Sequence, residues 1–240
     1  MNESLRKTMK KRQRLGQHFL KSEKIAKNIV AAVKLTKYDS VLEIGTGRGI
    51  LIPFLCKNAK KVTSFETDKK LYYDAKVNYT TSNLKLKLGD GFKSKENFTV
   101  LVSNLPYSKS RDAIEWLIQK KFSRAVIMVQ KEFAEKLQTK SKERKAISIL
   151  AQYAFDIEPV IKVSKTNFVP QPKVDSVVLK LKSKNVVSKE LIKTVNKLFS
   201  YRRKTIQNIL KQFGKNSDST KRLDELDGDE IIKIAKQIIK

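Results

Sequence analysis

Short runs of apolar residues, some alternating with polar ones, recur along the N-terminal part of the chain. They lie at 41–44, 61–65, 84–88, 100–102 and 125–129, and each is followed by small or polar residues. Between the runs, apolar residues recur at helical spacing, and Ser22 and Ser110 stand where two of these helices would be capped. Short strands that alternate with amphipathic helices predict an α/β domain with a mostly parallel sheet.

The pattern changes towards the C-terminus. Two further helices are predicted at 131–137 and 146–155, and two strands at 160–163 and 174–181. A polar stretch at 183–188 then precedes a tail in which apolar residues recur at helical spacing to the end. We therefore expect two domains, an α/β domain at 1–183 that includes a basic N-terminal arm, and a small, all-helical domain at 184–240.

The charge of the chain points to a polyanionic partner. Lys and Arg total 52 against 24 Asp and Glu in 240 residues, a formal charge of +28. Such an excess favours RNA, DNA or an acidic membrane surface. Six basic residues within the first fourteen are typical of a solvated arm that contacts phosphates.

Several classes of protein are disfavoured by what the sequence lacks. No apolar run is long enough to span a membrane, and no apolar segment follows the basic start, so we expect a cytoplasmic protein. Cys56 is the single cysteine and His18 the single histidine. An internal disulfide and a Cys/His zinc site are therefore excluded, and no metal is expected. His18 also has no partner spaced for a catalytic triad, so the residues alone indicate a structural or solvent-facing role.

A glycine-rich turn, G-T-G-R-G at 45–49, follows the first predicted strand. Glycines there let the backbone approach a nucleoside closely. The spacing differs from the G-x-G-x-x-G of dinucleotide binders, and Glu43 just before it would repel a diphosphate, so a ligand with a cationic amino group fits better. Glu66 ends the next strand, 21 residues after Gly45, near the interval at which a carboxylate binds ribose hydroxyls. Asp68 is the alternative for this role, although its position favours a helix cap.

Polar residues also end the following two strands. Asp90 follows the strand at 84–88 and could accept from an adenine amine, and Asn104 follows the strand at 100–102. Because the carboxyl ends of parallel strands meet at one edge of the sheet, the glycine turn, Glu66, Asp90 and Asn104 are expected to line one site.

The segment Asn104-Leu105-Pro106-Tyr107 suits a planar base that carries an exocyclic amine. The amide oxygen of Asn104 can accept from the amine, and Tyr107 can stack on the ring. Pro106 biases Leu105 towards an extended backbone, which could aim the Leu105 carbonyl into the same pocket as a second acceptor. An ordinary strand exit with a turn proline remains the alternative for these residues alone.

Two further features could contact RNA. Phe168 precedes two prolines in a predicted loop, and a second stacking ring and a loop anchor are equally open for it. Arg202, Arg203 and Lys204 are placed at the start of a predicted helix, where the helix dipole favours acids. Positive charges at a helix start are therefore unfavourable, which favours an RNA contact by these residues over a merely solvated face.

Five motifs together resemble the ribosomal RNA adenine dimethylases, the kasugamycin-sensitivity family and its archaeal and eukaryotic counterparts. They are Q-H-F-L at 17–20, E-I-G-x-G-x-G at 43–49, N-L-P-Y at 104–107, F-x-P-x-P-x-V-x-S at 168–176 and F-x-x-R-R-K-T at 199–205. The first four are shared with the erythromycin-resistance methyltransferases, but L-G-Q-H-F-L and R-R-K-T favour the ribosome-biogenesis branch. The chain departs from the family at Ser108-Lys109, where Asn or Gln followed by Ile is usual, and at 141–146.

The resemblance implies a Rossmann-like, class I S-adenosylmethionine-dependent methyltransferase with a small helical C-terminal domain. The implied reaction is dimethylation of the N6 amine of two adjacent adenosines near the 3′ end of small-subunit rRNA, in the immature subunit and by a monomer. The implied catalytic segment is Asn104, Leu105, Pro106 and Tyr107. The implied cofactor-binding residues are Gln17, His18, Leu20, Gly45, Gly47, Glu66, Asp90 and Asn104, with RNA contacts at Phe168, Arg202, Arg203 and Lys204.

Three alternatives stay open from the sequence. The first is an erythromycin-resistance-type 23S rRNA methyltransferase. The second is a non-catalytic RNA-binding assembly or transcription factor of the same fold, against which the intact Asn104 and Glu66 argue. The third is a DNA adenine methyltransferase, whose motif commonly begins Asp/Asn-Pro-Pro-Tyr, and Leu105 counts against it.

Overall fold

The computed structural model describes residues 17–239, so the basic arm predicted near the N-terminus lies outside the described residues. The strands are β1 (Phe19–Leu20), β2 (Ser40–Ile44), β3 (Lys61–Glu66), β4 (Leu84–Leu88), β5 (Val100–Ser103), β6 (Arg124–Gln130), β7 (Phe155–Val163), β8 (Phe168–Val169) and β9 (Ser176–Ser183). The five strands predicted in the first half of the chain are confirmed to within one residue at each end. Phe155 was wrongly predicted to end a helix, since it begins β7.

Seven of these strands form one sheet in the order β4-β3-β2-β5-β6-β9-β7. Strands β2 to β6 run parallel to one another, whereas β9 runs antiparallel to β6. The chain passes from β2 outwards to β3 and β4 and then returns to the other side of β2 to form β5. In sheets of this kind the crevice beside such a reversal, at the carboxyl ends of the strands, is where ligands bind.

Helices connect the strands and form the C-terminal region. They are α1 (Glu23–Ala32), α2 (Ile52–Asn58), α3 (Lys69–Asn78), α4 (Ser110–Leu117), α5 (Lys131–Gln138), α6 (Ala146–Ala154), α7 (Lys189–Ser200), α8 (Ile206–Lys211) and α9 (Gly228–Ile239). The side chains of Ser22 and Asp68 cap α1 and α3, as predicted. Such caps satisfy backbone N–H groups that the first helical turn leaves unpaired.

The core of the sheet is built from its central strands. Val41 in β2 lies opposite Val62 in β3 and Val100 in β5, and all three are buried. Ile29 and Val30 on α1 belong to the same apolar cluster. Burial on both faces explains why these strands are nearly continuous apolar runs.

An ionic network fixes the amino ends of the strands, at the edge opposite the crevice. Arg124 begins β6, and its Nη2 lies 2.7 Å from Oδ2 of Asp39, which precedes β2. Arg124 also donates to the carbonyls of Val33 and Lys34. Burial alone would raise the pKa of Asp39, but hydrogen bonds from Arg124, Thr36 and Thr99 outweigh it and lower the pKa.

The chain divides into two compact units. The first comprises residues up to 113, with 121–134 and 157–182, and the second comprises 114–120, 135–156 and the residues from 183 onwards. The domain boundary predicted between 183 and 184 stays a prediction, and the last segment of the second unit begins at Ser183. The sequence had assigned 114–120 and 135–156 to the first domain, because a boundary inferred along the chain cannot show segments that leave a unit and return. Within the second unit, α6, α7 and α9 pack against one another.

Candidate active site

The first unit contains a cavity of about 450 Å³ at the carboxyl ends of β2, β3, β4 and β5. All eight residues that the sequence assigned to the cofactor line this cavity, as do Leu105 and Pro106. They are Gln17, His18, Leu20, Gly45, Gly47, Glu66, Asp90 and Asn104. The structure thus brings together, at one edge of the sheet, residues that are separated by up to 87 positions (104 − 17) in the chain.

The glycine turn forms one wall because its backbone has an unusual conformation. Gly45 and Gly47 have φ angles of 86° and 58°, in the left-handed region that favours glycine. The N–H of Gly45 donates to the carbonyl of Phe65, which holds the turn against β3. A Cβ atom on Gly47 would stand 3.3 Å from the Phe19 ring, so a side chain there would crowd the wall.

Glu66 at the end of β3 is buried against this turn. Its Oε2 accepts from the N–H of Gly47 at 2.7 Å, and its Oε1 accepts from the N–H groups of Thr67 and Asp68. A carboxylate oxygen can accept more than one hydrogen bond, so Glu66 can still accept from hydroxyl groups in the cavity. Asp68 does not line the cavity, because its Oδ1 caps α3.

Glu43 differs from its sequence interpretation. Its side chain is 1% exposed, and Ser64 Oγ donates to its Oε2 at 2.5 Å. Burial raises the pKa of Glu43 to about 8. The hydrogen bond from Ser64 lowers this pKa, and the charge of Glu66 raises it further. With this pKa Glu43 is neutral at pH 7. The expectation that its charge repels a diphosphate was therefore wrong.

Asp90 lies at the exposed side of the cavity. Its Oδ1 accepts from the N–H of Phe92 at 3.0 Å and so caps the 3-10 turn Gly91–Lys93. This contact fixes the carboxylate at the end of β4, where its other oxygen can accept from a ligand amine.

The Asn104–Tyr107 segment leaves β5 in a fixed conformation. Ser103 Oγ donates to the carbonyl of Ile44 at 2.5 Å, which ties the strand end to β2. The Tyr107 hydroxyl lies 2.6 Å from Ser176 Oγ on β9. Burial raises the pKa of Tyr107, although the contact with Ser176 opposes this, so the phenol is neutral. The sequence analysis included Ser176 in a motif but gave it no role, because nothing local marks a partner 69 residues away.

His18 lies beside the Asn104–Tyr107 segment, and its role stays a prediction. Its Nδ1 lies 2.7 Å from the carbonyl oxygen of Pro170. Because that oxygen can only accept, Nδ1 carries a proton. The imidazole stacks on the Tyr107 ring, with centroids 5.2 Å apart and planes inclined at 26°.

Phe168 takes the anchor role rather than the stacking role. Its side chain is 2% exposed, and its backbone pairs with Leu20 between β1 and β8. The ring meets Tyr107 edge-on, at a centroid distance of 6.5 Å. The assignment of Phe168 to RNA contact needs correction, because a ring packed in the apolar core presents no face to a base.

The basic cluster of the second unit lies in a turn, which we call the basic turn (Arg202–Arg203–Lys204). The turn connects α7 and α8, and Thr205 caps α8. The prediction that this cluster starts a helix was therefore wrong, because the helix begins at Ile206, and the argument from a helix that starts at the cluster no longer applies. Arg203 and Lys204 are exposed, so a phosphate contact by this turn stays a prediction.

Neither a metal centre nor a membrane helix is found in the described part of the chain. No group of three or more His, Cys, Asp and Glu side chains within 17–239 is placed to hold a metal ion. No helix in the same range is long and apolar enough to cross a membrane.

Comparison with known proteins identifies the family. The model of the family described as "Ribosomal RNA adenine dimethylase" matches residues 8–237 of this chain. A relative from Thermotoga petrophila, named ribosomal RNA small subunit methyltransferase A, is 35% identical over 234 residues, which is 93% of this chain and 90% of the relative. A Pyrococcus abyssi protein, named as a probable ribosomal RNA small subunit methyltransferase A, is 34% identical over 83% of this chain and 75% of its own.

Solved structures agree with the fold. A dimethyladenosine transferase from Plasmodium falciparum superimposes with a TM-score of 0.80 at 28% identity, covering 92% of this chain and 98% of the other. The 23S rRNA methyltransferase ErmE gives a TM-score of 0.70 at 21% identity, covering 92% and 100%, which supports the fold alone. The Rossmann-like methyltransferase fold expected from the sequence is confirmed. By the extent and identity of these matches, the chain belongs to the ribosomal RNA adenine dimethylase family.

Proposed function

We propose that the protein uses S-adenosylmethionine to dimethylate the N6 amine of two adjacent adenosines near the 3′ end of small-subunit rRNA. The observation that supports this most is the single cavity in which Asn104 and Leu105 meet the glycine turn, Glu66 and Asp90. Relatives named for the small subunit favour that substrate over the large subunit. We further propose that the protein acts as a cytoplasmic monomer on the immature subunit.

The residues of the cavity fit the cofactor. The backbone of Gly45 and Gly47 can lie under the nucleoside, since a Cβ at Gly47 would crowd that wall. Glu66 would accept from the ribose hydroxyls and Asp90 from the adenine amine, while Gln17, His18 and Leu20 would border the methionine portion. Bound there, S-adenosylmethionine supplies an electrophilic methyl group.

The catalytic segment would act on the target amine. The lone pair of N6 is delocalised into the adenine ring, and positive charge grows on N6 as the methyl arrives. The Asn104 side-chain oxygen and the Leu105 carbonyl would accept from N6–H and stabilise that charge, and they would also hold the amine in line for transfer. A general base is not needed before transfer, because the proton becomes acidic only once the methyl is attached.

The target adenine has to leave its stack to reach these acceptors. Tyr107 would replace part of the lost stacking. One face of its ring already lies against His18, and its hydroxyl is held by Ser176, so the ring is fixed before the base arrives. A ring that is ordered in advance costs less conformational entropy on binding.

The test is transfer of radioactive methyl groups from S-adenosylmethionine to immature small subunits. Asn104→Ala should abolish transfer and leave cofactor affinity nearly unchanged, whereas Glu66→Ala should weaken cofactor binding by about 1–3 kcal/mol. Asn97→Ala is the matched control, because Asn97 is exposed and precedes the opposite end of β5.

Testing several substrates in parallel distinguishes the alternative functions. Wild-type activity on large-subunit rRNA alone would favour the erythromycin-resistance reaction, and activity on duplex DNA alone would favour a DNA methyltransferase. Binding of RNA without transfer to any substrate would indicate a non-catalytic factor. Full turnover in Asn104→Ala would remove this residue from the proposed catalytic role.

A further inference from the structure

The cavity is lined by side chains of opposite charge. Glu66 and Asp90 are the carboxylates proposed to hold the cofactor, and the positive side chains among the described lining residues are Arg48 and Lys109. The guanidinium carbon of Arg48 lies 5.2 Å from the centroid of the Phe19 ring, so it packs on the cavity wall. The side chain of Lys109 is 54% exposed, which places it at the open side of the cavity.

The backbone fixes Lys109 relative to the catalytic segment. Lys109 ends the 3-10 turn Tyr107–Lys109, and its N–H donates to the carbonyl of Pro106 at 2.8 Å. Tyr107 in the same turn is held through its hydroxyl by Ser176. A nucleotide whose base lies against this segment would therefore meet the Lys109 side chain at a constant position.

Asp112 competes only weakly with an anionic ligand for the amine of Lys109. Its Nζ lies 3.0 Å from Oδ2 of Asp112, and both side chains are 54% exposed. Exposed ion pairs of this kind contribute little to stability. Asp112 can therefore hold the amine beside the cavity and still release it to a stronger ligand.

We propose that Lys109 binds a backbone phosphate of the target nucleotide when its adenine enters the cavity; this inference rests on the proposed function. An extruded base enters a pocket while its sugar and phosphates stay at the mouth, and phosphate contacts fix the register of a nucleic acid on a protein. The position of Lys109 in the turn that directly follows Leu105 and Pro106, the segment proposed to meet the target base, favours this ligand over the cofactor carboxylate. Lys109 thus positions the nucleotide for methyl transfer.

The experiment compares four variants with the wild type. Lys109→Gln removes the charge, Lys109→Arg keeps it, and Asp112→Asn removes the competitor. Lys61→Gln is the matched control, because Lys61 begins β3 at the opposite end of the sheet and is a half-exposed lysine 3.6 Å from Glu96. For each protein, binding to a small-subunit rRNA fragment is measured across a salt series, methylation kinetics at one salt, cofactor affinity by calorimetry, and the melting temperature.

We expect Lys109→Gln to raise the KM for RNA about fivefold, the upper end for one partly exposed charged contact. The salt slope of binding should become shallower by about 0.7–0.9 log units, the effect of one lost phosphate contact. Lys109→Arg should restore both values, and Asp112→Asn should bind RNA at least as tightly as the wild type. Cofactor affinity and the Lys61→Gln control should match the wild type.

Two results would overturn the proposal. Equal losses of RNA affinity in Lys109→Gln and Asp112→Asn, with lower melting temperatures, would make the ion pair structural. A cofactor affinity that falls in Lys109→Gln would assign the amine to the cofactor. A wild type that binds the fragment without methylating it would refute the proposed function instead, and the salt slope of Lys109→Gln would still test the phosphate contact.

Discussion

Replacing Glu43 by Gln tests the electrostatics of the buried end of the cavity. The pKa of Glu43 is raised to about 8, first by burial and then by Glu66, against the opposing hydrogen bond from Ser64. In the unfolded chain the same group has its ordinary pKa of 4.5. Between these values the folded protein keeps a proton on Glu43 that the unfolded chain has lost.

The direction of the effect follows from this difference in bound protons. Because the folded state binds more protons, the free energy of unfolding falls as the pH rises from 4.5 to 8, by about 1.4 kcal/mol per pH unit, and levels off above 8. Gln has a similar size and no ionisable group. The stability difference between Glu43→Gln and the wild type should therefore move in favour of the variant by about 3 kcal/mol between pH 5.5 and pH 8.

The assay is urea unfolding of both proteins at half-unit steps from pH 5.5 to pH 9. Taking the difference between variant and wild type cancels the titration of every other group, and the constant cost of burying a second amide N–H only shifts that difference by the same amount at every pH. Ser64→Ala is a second probe: the Ser64 hydroxyl lowers the pKa of Glu43, so its loss should extend the fall in stability above pH 8. A stability difference that stays constant with pH would show that Glu43 is ionised in the folded protein, and the reasoning would be wrong.

Gly49→Ala should lower the melting temperature, because Gly49 has a φ of 76° and a Cβ there would overlap the Tyr79 ring; an unchanged melting curve would mean that the ring moves without cost. Asp39→Asn should destabilise the protein by about 3 kcal/mol, since it leaves Arg124 without its charged partner. Because the pKa of Asp39 is lowered on folding, this contribution is present above pH 4 and is lost as the pH falls, so urea unfolding at pH 7 and pH 3 should show a smaller difference at pH 3. Replacing the basic turn at 202–204 with glutamines should flatten the salt dependence of RNA binding by about 0.7–0.9 log units per lost contact, and a normal salt slope with a lower melting temperature would refute the contact.

Part of the cavity lining could be predicted because those residues lie at strand ends that the sequence marks, whereas Gln17, His18 and Leu20 were assigned only through the family resemblance. An apolar run that stops at a glycine, a carboxylate or an amide locates both the strand and its carboxyl end. Glu66, Asp90 and Asn104 were found in this way, and all three line the cavity. The parallel sheet then brings these residues together, because it aligns the carboxyl ends of its strands at one edge.

The contacts that hold the site rigid were not predictable, because they join distant parts of the chain. His18 reaches Pro170 across 152 positions, and Tyr107 reaches Ser176 across 69. The local pattern around Phe168 allowed a stacking ring or a loop anchor, and only the pairing of β1 with β8 and the burial of the ring decide between them.

The error at the start of α8 has a different cause, because a local signal was present. Thr205 is a good N-cap residue, and its side chain accepts from the N–H of Asn208. Apolar spacing alone does not locate this helix start, whereas the Thr205 cap does, because it places the basic turn before α8.

The position of β9 in the sheet has a consequence for the order in which the enzyme matures during translation. β9 lies between β6 and β7, although it is synthesised after both. A nascent chain that has emerged only as far as β7 therefore has no partner strand to join β7 to the sheet. The hydroxyl that anchors Tyr107 belongs to Ser176, the first residue of β9. The Asn104–Tyr107 segment is consequently secured only after the last strand has left the ribosome, and a polypeptide released before that point contains β2 to β6 without a fixed Tyr107.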